Sequence, residues 1–359
     1  MKKVLALLLV AIMALSVVGG ALAEGSAVVS WYTFGDVYLT SVRNALGEAF
    51  AARGVKVTDK DANGVQQTQL DDISTAIVSG TDALVINLVD SGAIGTATTL
   101  LEKGKEQDKP VVFFNRAVST DNADAEAMFA SYEKSAFVGT DFEEAGKMQG
   151  DLIGAYVLEN FDALDLNGDG VISYVMFKGD EANQEAIART KYGVENADAI
   201  LTAAGKPALK FYDEANASKY LVDLNGTWSN AASFDYMQTI LSQYNEPNGN
   251  MVELIIANND DMAMGAINAL MQAGYNTGEE GVKVIPVFGV DAVDDAKELI
   301  NQGKMTGTVK QDAVGMAEAV AVITDNLIQG KDKFEGLAEN VRVIDGWFVQ
   351  IPYAVYTGE

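Results

Sequence analysis

The sequence predicts an α/β protein built as two lobes, each with its own mostly parallel, doubly wound sheet and a ligand cleft between them. Three observations carry that expectation. Short apolar runs alternate with amphipathic stretches along the chain. The alternation restarts about midway, and polar residues close almost every apolar run.

Residues 27–31 read as the first strand, and Tyr38, Val42, Ala45, Leu46, Ala49 and Phe50 then fall at helical spacing before Gly54 ends the helix. Strands are expected at 55–58, 83–87 and 110–115, with helices near 66–79 and 94–107 between them. After an Asp/Ala-rich stretch over 119–135 the pattern resumes, with strands at 171–177, 209–212, 253–257 and 284–289 and the strand segment TGTVK behind them. No Pro- or Ser-rich linker separates the halves, which implies several chain crossings rather than one tether. The expected division is 26–139 plus 311–348 for one lobe and 140–310 plus 349–359 for the other.

Composition removes whole classes of chemistry. The 359 residues are 48% hydrophobic, which suits a globular protein with a large core. There is no cysteine and no histidine, so disulfides, thiolate chemistry, imidazole metal sites and Ser-His-Asp catalysis are excluded. A formal charge of −26 opposes nucleic-acid binding, which needs clustered Lys and Arg. Lys2 and Lys3, the apolar run 4–18 and Ala21-Leu22-Ala23 form the pattern of a secretory signal cleaved after Ala23. Without a cysteine to carry a lipid, export is expected to end in a periplasm, as a monomer.

Ligands of open α/β sheets bind beyond the carboxyl ends of the strands. Asp36, Asn87, Asp90, Asn115, Asn259, Asp260, Asp291, Gln311 and Asp312 all occupy such positions. For any single one, helix capping or an Asx turn is explanation enough. As a set drawn from both halves, they describe a site for a small ligand with many hydroxyls. Such a ligand also offers C–H faces to aromatic rings, for which Tyr38 and Trp228 are candidates, although a Trp is more commonly structural. Glu185 and Arg189, spaced i, i+4, are either a surface ion pair or part of the same site.

The segment DLNGDGVIS (165–173) follows the first nine positions of a twelve-position calcium loop: Asp165, Asn167 and Asp169 at 1, 3 and 5, Gly170 at 6, the Val171 carbonyl at 7 and Ser173 at 9. Position 12 is Met176 instead of the usual bidentate glutamate. Taken alone, the segment is either a metal site or an Asx-rich turn.

The segments LVINLVD, PVVFFN, VGTD, DLNGDG, IIANNDDMAMGA, PVFGVDA and GTV, in that order, resemble the periplasmic galactose/glucose-binding proteins of ABC sugar importers over nearly the whole mature chain. The DLNGDG loop is particular to that branch. The resemblance implies two Rossmann-like lobes joined by three crossing strands, closing on one sugar by hinge motion, with an ABC permease as partner and, in some relatives, a chemoreceptor. It implies sugar contacts from Asp36, Asn115, Arg189, Trp228, Asn259 and Asp291. Tyr38 stands where the family usually has Phe, Asn183 where it often has His, Glu185 where it has Asp, and Gln311 where it has Asn; these departures bear on which sugar fits. In that family the last calcium ligand comes from a glutamate ahead of the ANND segment, here Glu253, while Ser173 replaces the usual Gln. A glutamate opening an apolar strand needs a partner, and a cation supplies one; a solvent-facing strand end is the alternative.

Two other functions compete. A glycosidase would use Asp36 and Asp291 as paired carboxylates, but their amide-rich surroundings predict no apolar environment to raise one pKa. A sugar-responsive repressor on the same fold is opposed by the signal segment, the acidity and the lack of a basic N-terminal helix.

Overall fold

A computed structural model of the chain describes residues 25–358, so the expected signal peptide lies outside the described residues. The first half runs β1 (Ser26–Trp31), α1 (Val37–Ala52), β2 (Lys56–Asp61), α2 (Gln66–Val78), β3 (Ala83–Ile86), α3 (Ile94–Glu106), β4 (Val111–Phe114), α4 (Asn122–Ala130) and β5 (Ser135–Gly139). The second begins with α5 (Phe142–Leu164), β6 (Ser173–Lys178), α6 (Gln184–Ala203), β7 (Lys210–Phe211), β8 (Leu221–Val222) and α7 (Asn230–Gln243). It continues with β9 (Leu254–Ala257), α8 (Asp260–Gln272), β10 (Val287–Asp291), α9 (Asp294–Asn301) and β11 (Gly307–Gln311). The chain then returns to the first lobe through α10 (Ala313–Ile328), β12 (Arg342–Ile344) and β13 (Phe348–Gln350), and ends at β14 (Tyr353–Tyr356) on the second sheet.

Strands of the first sheet lie in the order β12-β13-β5-β4-β3-β1-β2, those of the second in the order β14-β11-β10-β9-β6-β7, with β8 also on β6. Every pairing is parallel except β12 with β13 and β11 with β14. The interior strands ALVI of β3, VVFF of β4 and LIIA of β9 are buried at every residue, as strands covered by helices on both faces must be. The edge strand β2, KVTDKD, is charged and largely exposed, which discourages pairing with another chain. One face of the first sheet packs on α1 and α10, through Leu39, Val42, Leu46 and Phe50 against Met316, Val320, Ile323 and Leu327. Its other face packs on α2, α3 and α4. The second sheet is likewise covered on both faces, by α7 and α8 on one and by α5 and α6 on the other. Among the described residues no helix is long and apolar enough to cross a membrane.

Besides the strands β5, β8 and β12 to β14, which the apolar pattern did not single out, three details differ from the expected element map. The Asp/Ala-rich stretch holds α4, capped by Asp121 and anchored by Ala125, Met128 and Phe129; its helical spacing is hidden among small and acidic residues. The strand expected at 284–289 starts at Val287, because Ile285 exchanges hydrogen bonds with the Asn276 side chain, at 2.8 and 2.9 Å, instead of joining the ladder. Val349 and Gln350 pair with Val138 and Gly139, so the last crossing follows Gln350 and not residue 348. The chain therefore crosses between sheets after β5, after β11 and between β13 and β14.

Candidate functional site

Asp36, Tyr38, Asn115, Asn183, Glu185, Arg189, Trp228, Asn259, Asp291 and Gln311 all line one cavity between the lobes. It holds about 100 Å³ of open space, room for several waters or one small molecule. Asp36, Tyr38 and Asn115 reach it from the first lobe, and Asn183, Glu185, Arg189, Trp228, Asn259 and Asp291 from the second; Gln311, the last residue of β11, opens the second crossing.

Helix capping and cavity lining turn out to be compatible. Asp36 caps α1 by accepting from Leu39 N, Asn183 caps α6 by accepting from Glu185 N and Ala186 N, and Asn259 caps α8 by accepting from Met262 N. Each cap brings a helix N-terminus, with its partial positive charge, toward the cavity. Other strand-end residues stand behind this layer. Asn87 donates 3.3 Å to the Asn115 side chain, and the buried Asp260 accepts from Thr308 Oγ1 at 2.6 Å and Val293 N at 3.0 Å. Asp90 lines a second interlobe cavity, and Asp312 pairs with Lys310.

The backbone is strained where side chains must face the cavity. Asn115 has φ 61°, Trp228 φ 58° and Asp291 φ 125°, and Ala292 follows at φ 56°. Non-glycine residues held there cost about 1–3 kcal/mol each and persist only where the surroundings enforce them. Trp228 is 7% exposed and its ring lies flat on the chain at Gly179, where a Cβ would come 2.1 Å from Cδ2. Its loop is built on Asp223. Burial alone would raise that carboxyl, but hydrogen bonds from Ser229, Asn225 and Thr227 hold it below the usual range.

Arg189, 2% exposed, is the electrostatic centre. Its Nη1 donates to the Asn258 carbonyl at 2.9 Å and lies 3.8 Å from Asp291 Oδ1. Its Nη2 lies 2.7 Å from Glu185 Oε2, 3.0 Å from Gln311 Oε1 and 3.2 Å from the Tyr353 hydroxyl. Its guanidinium sits over Trp228, 5.6 Å from the ring centre. Burial raises Asp291 well above the usual carboxylate range, with Arg189 opposing it, and burial also raises Asp36 despite hydrogen bonds from Leu39 and Tyr32. The expectation that no environment would perturb these two carboxylates is thus corrected. The buried Arg189 Nε and Gln311 Nε2 have no hydrogen-bond partner.

Sequence reasoning missed Tyr32, Arg116, Thr140 and Phe142, which also line the cavity. Tyr32 donates to Asp36 Oδ2 at 2.8 Å; Arg116 stacks over Tyr32 at 4.2 Å and lies 3.7 Å from Asp180 of the other lobe. A cation directly after Asn115 was the available signal.

The 165–173 loop is a separate polar cluster. Asp165 accepts from Asp169 N and Gly170 N, Asn167 from Asp169 N, and Asp169 from Val171 N. Glu253, 0% exposed, reaches both ends of it: Oε1 accepts from Leu166 N at 2.7 Å, and Oε2 from Ser173 N at 2.8 Å and Ser173 Oγ at 3.0 Å. The strand-end alternative for Glu253, a solvent-facing carboxylate, is therefore set aside. Burial raises its pKa even against these hydrogen bonds. Among the described residues no three His, Cys, Asp or Glu side chains converge as a metal site. The oxygen-only donor set, which includes an amide, a carbonyl and a hydroxyl, is of the type that fits a hard cation.

Residues 27–332 match the family model for a periplasmic binding protein domain. The chain is 36% identical over 350 residues, 94% of each chain, to the D-galactose/methyl-galactoside binding periplasmic protein MglB of Haemophilus influenzae. It is 23% identical to the ribose import binding protein RbsB of Escherichia coli, over 92% of this chain and 96% of that one. The crystal structure of a galactofuranose binding protein superimposes with a TM-score of 0.67 at 19% identity, covering 93% of this chain and 94% of that one, a likeness of fold.

Proposed function

The chain belongs to the periplasmic binding protein family and is a sugar-binding protein of an ABC transporter; from that premise we propose that its ligand is one molecule of D-galactose or D-glucose, held between the lobes. The observation that carries this reading is the ring of amides, carboxylates and the guanidinium groups of Arg116 and Arg189, drawn from both lobes around a cavity on a small molecule's scale. Its donors Arg189 Nε and Gln311 Nε2 lack partners. In this reading Asp36 and Asp291 accept hydroxyl hydrogens from opposite sides, and Asn115, Asn183, Asn259 and Gln311 satisfy the remaining hydroxyls. Tyr38 and Trp228 cover the ring's C–H faces. Closure of the lobes shields these bonds from water, and the closed form is what the permease, and a chemoreceptor where one exists, would recognise.

A second reading, another monosaccharide such as a pentose, is favoured by Glu185. Its oxygens already serve Thr140 at 2.7 Å and Arg189 at 2.7 Å, which leaves it less to offer a ligand. Calorimetric titration against a panel of monosaccharides, with tryptophan fluorescence in parallel, decides between them. Micromolar or tighter binding of galactose or glucose with a change in Trp228 emission is expected. A flat response to both while a pentose or another hexose binds overturns the first reading.

A structural calcium ion is the second part of the proposal. Asp165, Asn167, Asp169, the Val171 carbonyl, Ser173 and Glu253 would hold it, and it would tie the α5–β6 connection to the start of β9. The buried Glu253 against both ends of the loop supports this reading.

A further inference from the structure

The three segments that cross between the lobes meet in one hydrogen-bonded cluster at the floor of the cavity. Thr140 follows β5 on the first crossing, Gln311 ends β11 on the second, and Tyr353 opens β14 on the third. The Tyr353 hydroxyl donates to Thr140 Oγ1 at 3.0 Å, and Thr140 Oγ1 donates to Glu185 Oε1 at 2.7 Å. Arg189 Nη2 reaches the Tyr353 oxygen, Gln311 Oε1 and Glu185 Oε2, so it faces three acceptors with two hydrogens. On the cavity side the same cluster is incomplete, because Arg189 Nε and Gln311 Nε2 are buried without partners. Tyr353, Arg189, Gln311 and Thr140 are all buried. Burial keeps the phenol protonated far above neutral pH, so it stays a donor.

We propose that Tyr353 is a positioning residue that makes ligand occupancy and hinge geometry one equilibrium: through Thr140 and Arg189 its hydroxyl ties the first and third crossings to the groups that meet the ligand. The inference rests on the monosaccharide reading of the cleft. A ligand oxygen that engages Arg189 re-apportions the oversubscribed Nη2 hydrogens, and Tyr353 is the acceptor that reports this to the crossing strands. Because the phenol is bonded to Thr140 on one crossing and sits on another, the torsions of both segments are set together. Coupling of this kind needs an element with two arrangements that the ligand biases, and the hinge is that element.

The test uses the full mature chain with Tyr353→Phe, Thr140→Val and the double variant, titrated with the sugar that binds the wild type best and followed by small-angle scattering with and without it. The expected result is a 5- to 20-fold loss of affinity for each single variant, a smaller change in radius of gyration on ligand addition, and a double variant no worse than about the weaker single one, since both remove the same chain of bonds. If Tyr353→Phe lowers only the melting temperature, and binds and compacts like the wild type well below it, the hydroxyl is merely structural and the coupling is overturned. A fully additive double variant overturns it as well. A wild type that binds no sugar in the panel defeats the monosaccharide reading, and the coupling falls with it.

Discussion

The interlobe cleft and the 165–173 loop are both assembled from Asp, Asn and Glu oxygens, yet they are left in opposite states. In the loop, the carboxylates accept from the segment's own amides, and Glu253 takes donors from both of its ends. In the cleft, donors stay without acceptors, Asp36 and Asp291 are raised by burial, and Asn115, Trp228 and Asp291 hold positive φ. The loop's polar groups therefore stabilise its fold, whereas the cleft's polar groups are kept under strain for something that arrives from outside. Buried polar groups left unmatched cost about 1–3 kcal/mol each, and a ligand that matches them recovers that free energy as affinity.

The most forceful way to break the comparison is Asp291→Asn. The amide fits the same backbone and removes a buried charge, so folding stability should hold or rise while sugar affinity falls by about 10- to 100-fold, the share of one or two hydrogen bonds to a charged group. Calorimetry and thermal melting on the same sample check this; parallel loss of stability and affinity would mean that the cleft carboxylate stabilises the fold as the loop's do. Next in size is chelation. With calcium at about 100 times its Kd the loop contributes about 2.7 kcal/mol, so EDTA should lower the melting temperature of the wild type and leave Glu253→Gln unmoved. A wild type insensitive to EDTA makes the loop only a turn.

The smallest effect is a matter of pH. Glu253 has a folded pKa above the usual glutamate range, so without metal the folded state binds its proton more tightly than the unfolded state does. Its share of stability is then greatest at low pH and is lost as pH rises through the folded value. Calcium needs the ionised form, so the calcium-dependent increment runs the other way and disappears as pH falls through the same window. Melting curves with calcium and with EDTA between pH 4 and pH 8 should converge at the acid end, a pH range on the order of the ordinary glutamate titration. Curves that stay parallel would remove Glu253 from the ligand set.

Much of the fold was legible because its signals are local. An all-buried strand such as ALVI must be apolar on both faces, and α1 shows its stripe from Tyr38 to Phe50 whatever it packs on. The α4 helix was missed because Ala and Asp blur its stripe, although Ala125, Met128 and Phe129 carry it. Every cavity residue named from the sequence was conspicuous either as a polar group after an apolar strand or through the family resemblance. Thr140 closes the apolar run of β5 inside VGTD and Arg116 follows Asn115, so both carried that signal and were passed over, whereas Tyr32 and Tyr353 gave none. Their part depends on what faces them across the chain, as Tyr353 faces Thr140 from 213 residues away.

The sequence by itself determined the alternation of strands and helices, the absence of thiol and imidazole chemistry, and the supply of oxygen-bearing side chains at strand ends. Tertiary structure alone decided that Asp36, Glu185, Arg189, Asp291 and Gln311 share one cavity, that burial lifts the first and fourth of them, and that three crossings converge on Tyr353. The physical reason is range. Strand and cap preferences act over a few residues, whereas a carboxylate's pKa and a guanidinium's partners depend on water exclusion and on groups that only the packing of two sheets brings together.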